Sequence, residues 1–194
     1  MISFEKAQAL VRKNSYSGGV EIKKAKNALG YVLARDVKAS ISLPLYDNAA
    51  MDGFAFHSKD TANADSARPL FLRIKGTIKA GDTRKTFVKQ GEAYRIMTGA
   101  PIPSGADTVL PKETAHVAKG RLVINKPILR KHIHREGEEI RVGDVVIKEK
   151  TFVHPAVVGF LAAIGLWQVK VFRKPRVSLI STGSELVDSG KKLS

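Results

Sequence analysis

The chain has 194 residues, 43% of them hydrophobic, so it can bury the core of one or two globular domains and is not a disordered polypeptide. It has no cysteine, which excludes disulfides and thiolate zinc sites and suits the reducing cytoplasm, where we expect the protein to act. A net charge of +15 favours anionic partners. No secretory core is seen, and no apolar run approaches the roughly 20 residues that span a bilayer, so we expect no membrane partner.

The basic residues are spread along the chain, with the densest clusters at residues 23–26 and 130–132. Neither cluster contains the interleaved aromatic side chains on which nucleic-acid bases stack. We therefore expect no nucleic-acid partner, and we keep a basic nucleic-acid binder as an alternative class of function.

The first part of the chain predicts two helices. Ser3 is suited to cap the first, which apolar residues at helical spacing carry to Asn14. A second helix is predicted over residues 22–34, where Gly30 costs about 1 kcal/mol relative to alanine and would allow close packing.

From Val37 onward the apolar period changes to two, which predicts a β-rich middle of the chain. The predicted strands cover residues 37–42, 54–56, 69–79, 94–97, 114–117 and 121–125. The last two of these strands are joined through a Lys-Gly turn and form a predicted hairpin.

The last part of the chain predicts a helix between two strands. His154 and Pro155 suit the N-cap and first position of that helix, and Gly165 ends it before a strand at residues 167–172. Residues 176–181 are apolar on both faces, as in a buried parallel strand. Because such a strand needs neighbours and covering helices, we expect the sequence to be the first part of a longer protein.

Two loops stand out by their composition. The first, LPLYDNAAMDGFAFH, begins at Leu43 and combines backbone constraints with three short polar side chains, Asp47, Asn48 and Asp52. A well-specified structural turn and an acidic corner of an active site both explain these residues, and composition does not decide between them.

The second stretch, GEAYRIMTGAPIPSGADTVLPKE, contains the predicted short strand at residues 94–97, and prolines make the loop after that strand rigid. Thr98 and Gly99 are suited to offer a hydroxyl and backbone N–H groups to a ligand. A proline-rich connection between strands is the alternative, and it too remains open.

Five segments occur in an order and spacing that resemble the molybdopterin molybdenumtransferase family, which includes bacterial MoeA and the E domain of gephyrin. The resemblance runs from Ser3 to about Val187 and is closest to the N-terminal half of such enzymes. The segments are LPLYDNAAMDGFAF, RIMTGAPIPSGADTVLPKE, REGEEIRVGDVVI, HPAVVGFLAAIGLWQVKVFRKPRV and STGSELV.

The resemblance implies an α+β, β-rich fold with three parts. A mixed dimerisation domain would comprise residues 1–42 and 129–174, and a small β domain would be inserted at residues 43–128. Residues 175–194 would begin a truncated α/β molybdopterin-binding domain.

The resemblance also implies an activity, the insertion of molybdenum from molybdate into adenylylated molybdopterin with release of AMP, assisted by Mg²⁺. It implies a homodimer, and a molybdopterin adenylyltransferase that supplies the substrate is a candidate partner. We expect this chain alone to be inactive. A non-catalytic dimerising scaffold or partner-binding module of the same fold is the alternative.

Individual residues match the motifs of that family. Asp52 matches the aspartate of DNSAMDGYA, Thr98 the threonine of RIMTGAP and Glu185 the glutamate of TGDEL, so these three are the predicted catalytic residues. Asp52 and Glu185 are also candidate metal ligands. The predicted substrate-binding residues are Asp47, Asn48, Gly53, Arg95, Gly99, Glu139, Thr182, Gly183 and Ser184.

The chain departs from the family pattern at three positions. Ala49 stands where serine is usual, and Glu139 replaces the aspartate of a GEDI motif. Ser184 replaces the aspartate of TGDEL and so removes one acidic group from the predicted ligand loop.

Overall fold

A computed structural model describes residues 2–15, 18–129, 131–183 and 185–191. It divides into two compact units. The β unit comprises residues 38–146, and the terminal unit comprises residues 1–37 with 147–194. Each unit is described by itself.

The chain is rich in short strands and contains two α-helices in its described residues, α1 (Phe4–Asn14) and α2 (Pro155–Ala163). Within that part of the chain no helix is long and apolar enough to cross a membrane. The strands are β1 (Val20–Lys24), β2 (Val37–Lys38), β3 (Asn48–Ala49), β4 (Gly53–Phe56), β5 (Leu70–Ile78), β6 (Glu92–Ile96), β7 (Thr108–Pro111), β8 (His116–Ala118), β9 (Arg121–Ile124), β10 (Ile133–His134), β11 (Val145–Ile147) and β12 (Gln168–Phe172).

Both helices of the terminal unit confirm the sequence prediction. The Ser3 hydroxyl accepts the Lys6 N–H at 3.3 Å and caps α1, which has no buried side chain. Pro155 opens α2, and Gly165 follows it with φ of 73°. His154 occupies the N-cap position, although its side chain makes no capping hydrogen bond.

The predicted helix over residues 22–34 is wrong. Residues Val20–Lys24 form β1, which pairs antiparallel with β12, and a single 3₁₀ turn at Ala25–Asn27 follows. Gly30 has φ of 75°, a left-handed conformation that a helix interior does not adopt. Helix propensity is a weak preference, and the ladder to β12 overrides it.

The predicted strand at residues 176–181 is also wrong for the described chain. Leu179 is 95% exposed and Ile180 is 84% exposed, and no strand is assigned there. A strand that is apolar on both faces needs neighbours to pair with, and the described part of the chain supplies none here. Whether further chain covers these residues stays a prediction.

The β unit is built on a six-stranded sheet in the order β7-β4-β6-β5-β9-β8. All neighbours are antiparallel except β5 and β6, which are parallel. Because side chains alternate along a strand, β4 sends Phe54 and Phe56 to one face and Ala55 to the other. Apolar clusters form on both faces, so β4 is buried along its whole length.

Most predicted strands are confirmed, since β4, β5, β6 and the hairpin of β8 and β9 lie where the period of two places them. Of residues 37–42 only Val37–Lys38 is a strand, although Ala39 is again buried.

The β unit extends beyond the predicted insert at residues 43–128. Ile133–His134 pairs with Asn48–Ala49, and Leu43 bridges Ile140, so residues 38–42 and 129–146 join this unit. These are units of spatial packing, and the predicted division into domains stays a prediction.

Candidate active-site cleft

Asp52 lies at one end of three neighbouring strands. It directly precedes β4, which is flanked by β6 and β7. The antiparallel register pairs Gly53 with Pro111 and with Ile96, so the residues that follow β7 and β6 lie beside Asp52. Accordingly, the Lys112 N–H donates to the Asp52 carbonyl at 2.9 Å.

Both oxygens of the Asp52 carboxylate are held by neighbours. Oδ1 accepts the Thr98 N–H at 2.9 Å and the Thr98 hydroxyl at 2.8 Å, and Oδ2 lies 2.9 Å from Lys112 Nζ. The Thr98 N–H, the Lys112 ammonium and the Thr98 hydroxyl lower the pKa of Asp52 to about 2. The carboxylate is therefore ionised throughout the neutral range.

The close approach of β7 to Asp52 depends on glycine at position 53. A Cβ on Gly53 would lie 2.0 Å from the Leu110 carbonyl oxygen, far inside contact distance. The absence of a side chain lets the two strands pair at this end, which brings Lys112 to the carboxylate.

Asp52 and Lys112 line a cleft of about 290 Å³. Arg95 also lines it, with its guanidinium 5.5 Å from the centroid of the Phe54 ring. No carboxylate of the described residues forms an ion pair with Arg95. Two cations and one carboxylate thus face the cleft, and the remaining lining is uncharged: Gly53, Phe54, Ile96, Met97, Ala115 and Val117.

Asp47 is tied to the segment that follows β10. Its carboxylate pairs with the Arg135 guanidinium and accepts the Glu136 N–H at 2.9 Å, and its carbonyl accepts the Ile102 N–H at 3.0 Å. The Glu136 N–H lowers the pKa of Asp47, burial opposes this, and Arg135 lowers it further. This geometry gives Asp47 a positioning role in the loop.

The donors predicted to face a ligand are used inside the protein. The Gly99 N–H donates to the Ala49 carbonyl at 2.9 Å, and both Thr98 donors go to Asp52. The Asn48 amide donates to the Tyr46 carbonyl at 3.2 Å. The bonds of Thr98 and Gly99 join the two loops, and that of Asn48 lies within the first loop. Substrate binding by these residues stays a prediction.

The other predicted site residues are not brought to Asp52 within the β unit. Glu139 donates its N–H to the Leu43 carbonyl at 3.0 Å and exposes its side chain. Thr182, Gly183 and Glu185 belong to the terminal unit, and Ser184 lies outside the described residues. Their roles stay predictions.

The family model for the MoeA N-terminal region, domains I and II, matches residues 2–165. The chain belongs to the MoeA family.

Relatives and solved structures agree with this membership. The chain is 41% identical over 167 residues to molybdopterin molybdenumtransferase 2 of Mycobacterium tuberculosis, a match that covers 86% of this chain and 41% of that protein. It is 36% identical over 185 residues to the molybdopterin molybdenumtransferase of Staphylococcus aureus, covering 95% of this chain and 44% of that protein. The crystal structure of the molybdopterin biosynthesis moeA protein from Pyrococcus horikoshii OT3 matches with a TM-score of 0.88 and 30% identity, covering 99% of this chain and 51% of that one. The chain thus spans about half the length of these MoeA proteins, or somewhat less.

Two contacts of this MoeA chain were missed at the sequence level. Lys112 lies within the second motif and directly follows β7, which pairs with β4. That position is the signal from which its contact with Asp52 could have been predicted. Arg135 reaches Asp47 from 88 positions away, and no local pattern indicates that pairing.

The Mg²⁺ implied by the family resemblance does not fit the Asp52 cleft as this chain builds it. Mg²⁺ takes about six oxygen ligands, and carboxylates are the protein's usual contribution. Among the described residues, Asp52 is the only carboxylate that lines this cleft, and the Lys112 ammonium already lies against its Oδ2. No group of three or more His, Asp or Glu side chains suited to a metal occurs among the described residues.

Proposed function

We propose that this chain supplies the Asp52 cleft of a molybdopterin molybdenumtransferase, which inserts molybdenum from molybdate into adenylylated molybdopterin and releases AMP. Family membership and the names of the relatives support this function. The observation that carries it is a fixed, ionised Asp52 at the edge of a cleft with net positive charge. Molybdate and the phosphate groups of the pterin substrate are both anions that such a cleft attracts.

The geometry of the cleft supports a distinct role for each of its polar residues. A carboxylate with a pKa of about 2 is a poor general base at neutral pH, so Asp52 acts as a fixed charge that orients its neighbours. Thr98 holds one carboxylate oxygen with two hydrogen bonds, and Lys112 holds the other. Arg95 is left to contact an anion directly.

We propose that any Mg²⁺ in the reaction is held by phosphate groups of the substrate or by ligands outside the described residues. The groups that line the Asp52 cleft support this proposal, because Asp52 offers one carboxylate to a cation and that carboxylate is already paired with Lys112. No step is assigned to the cation here.

We also propose that the chain forms a homodimer through the terminal unit. The protein would act in the cytoplasm and receive its substrate from a molybdopterin adenylyltransferase. Support for the dimer comes from apolar side chains left in water: Phe4 is 75%, Val11 70% and Trp167 67% exposed. Light scattering of the variant F4S/V11S tests the dimer. A monomeric variant with an unchanged melting temperature is expected, and a wild-type chain that is monomeric at micromolar concentration would refute it.

The activity is tested on this chain with its own continuation, if the gene encodes one beyond Ser194, or joined to the C-terminal part of the Staphylococcus aureus relative. We expect the joined protein to form molybdenum cofactor and the 194-residue chain alone to form none. Asp52→Asn should abolish the activity.

Asp82→Asn is the matched control, because Asp82 lies in the same unit, is paired to Arg84 and also has a pKa lowered to about 2. Full activity of Asp52→Asn, or equal loss in both variants, would contradict the proposed role of Asp52. A joined protein that folds, binds substrate and makes no cofactor would favour the scaffold alternative.

A further inference from the structure

The Lys112 ammonium lies against one oxygen of the Asp52 carboxylate. The carboxylate has two oxygens, and Oδ1 already accepts two hydrogen bonds from Thr98. A cation would therefore approach Oδ2, where the Lys112 ammonium lies at 2.9 Å. The ammonium supplies a positive charge at this oxygen without asking for the further oxygen ligands that Mg²⁺ requires.

With Asp52 neutralised in this way, the cleft carries the positive charge of Arg95. The central carbon of its guanidinium lies 5.5 Å from the centroid of the Phe54 ring, within the range of a cation–π contact. No carboxylate of the described residues is paired with it. A planar fork of donors and an ammonium that line the same cleft are the groups that recognise the oxygens of phosphate-like anions.

The rest of the lining does not oppose the attraction for an anion, because the residues beside Asp52, Arg95 and Lys112 carry no charge. Apart from Asp52, no acidic residue of the described part of the chain lines this cleft of about 290 Å³.

We propose that Lys112 takes the place of a divalent cation at Asp52, and that Arg95 and Lys112 together bind a tetrahedral oxyanion in this cleft without a metal. The inference rests on the proposed function only for the source of that oxyanion, which is either free molybdate or a phosphate group of the pterin substrate.

Calorimetric titration of the whole chain tests the proposal, with molybdate, inorganic phosphate and AMP as separate probes at low ionic strength. Each titration is run with EDTA and again with added Mg²⁺. We expect binding with EDTA present that changes less than twofold on adding Mg²⁺. Preference for molybdate identifies free molybdate as the source of the oxyanion, whereas preference for phosphate or AMP identifies a phosphate group.

Two variants locate the site. Lys112→Gln and Arg95→Gln should each weaken binding about tenfold or more, because each removes a charge-assisted contact. Lys85→Gln removes the same charge from an exposed position of the same unit outside this cleft, and should leave the affinity within twofold. Arg95→Lys, which keeps the charge and loses the fork, should bind more weakly than wild type.

The proposal is overturned if no probe binds at millimolar concentration, if EDTA abolishes binding, or if all the glutamine variants lose affinity equally. The EDTA comparison uses the unmutated chain, so it decides the question of the metal even if Lys112→Gln fails to fold. If oxyanion binding is absent while Asp52→Asn still abolishes molybdenum insertion, this inference fails and the proposed function stands.

Discussion

Replacing Gly53 with alanine should destabilise the β unit and disturb the Asp52 cleft together. The added Cβ would lie 2.0 Å from the Leu110 oxygen, 2.9 Å from the Leu110 carbonyl carbon and 3.1 Å from the Pro111 Cα. All three atoms belong to the backbone, so no flexible side chain can move away. The strand pair β4–β7 has to open at the end that carries Asp52 and Lys112.

The magnitude follows from the geometry of that clash. Overpacking a well-packed interior by a methyl group costs about 1–3 kcal/mol, and this clash with backbone belongs at the upper end. For a unit of roughly 100 residues such as this one, a loss of about 3 kcal/mol lowers the melting temperature by about 12–24 °C. Because the strand pair opens beside Asp52, the proposed anion affinity should fall as well.

Thermal unfolding followed by circular dichroism measures this cost. Gly76→Ala is the matched control, since Gly76 lies in β5 of the same sheet and its added Cβ would meet only the Tyr94 ring at an ordinary 3.6 Å. That variant should be neutral or gain up to about 1 kcal/mol. Equal melting temperatures for Gly53→Ala and wild type would refute the close approach of β7 on which the cleft depends.

Three further predictions concern stability. The folded-state pKa of Asp52 lies below its ordinary value, so the stability that this carboxylate contributes is complete above about pH 4 and is lost as the pH falls through about 2. The difference in melting temperature between wild type and Asp52→Asn should therefore shrink as the pH falls from about 4 to about 2. A difference that stays constant would contradict the pairing of Asp52. Thr61→Val should cost about 1–3 kcal/mol by urea unfolding, because the buried hydroxyl donates to Ser58 and accepts the Ile128 N–H, whereas an unchanged midpoint would show that these bonds are replaced by others. Leu72→Ala should cost about 2–5 kcal/mol through the cavity it leaves in the sheet core, and a loss below about 1 kcal/mol would mean that the core is loosely packed.

Local sequence patterns were enough to predict those helices and strands whose signals lie within their own short stretch of sequence. The period of two in β5 and the cap and stop signals of α2 are contained in short stretches of sequence, and both predictions are confirmed. The helix predicted over residues 22–34 failed because its partner, β12, lies more than 140 positions away. A ladder between distant strands leaves no trace in the local period.

The same distinction applies to the site. Asp52 and Thr98 could be singled out because each lies in an unusual motif, and the structure joins them by two hydrogen bonds. Sequence reasoning correctly named the polar groups of the two loops, but it did not predict that the Thr98 donors bond Asp52 or that the Gly99 N–H bonds Ala49. Which donor meets which acceptor depends on the packing of the loops against each other, and this packing uses the Gly99 N–H for Ala49.

The strands around Asp52 also determine which part of the proposed function the β unit can perform by itself. The three groups that bond the Asp52 carboxylate belong to Thr98 and Lys112. The positions of these two residues are determined by the register of β6 and β7 against β4. Backbone ladders fix such positions more firmly than long side chains do, so the β unit presents the cleft already formed. Glu185 belongs to the terminal unit and has no part in that ladder. Oxyanion binding at Arg95 and Lys112 should therefore survive removal of the Glu185 carboxylate, whereas molybdenum insertion should not if both carboxylates take part in the reaction.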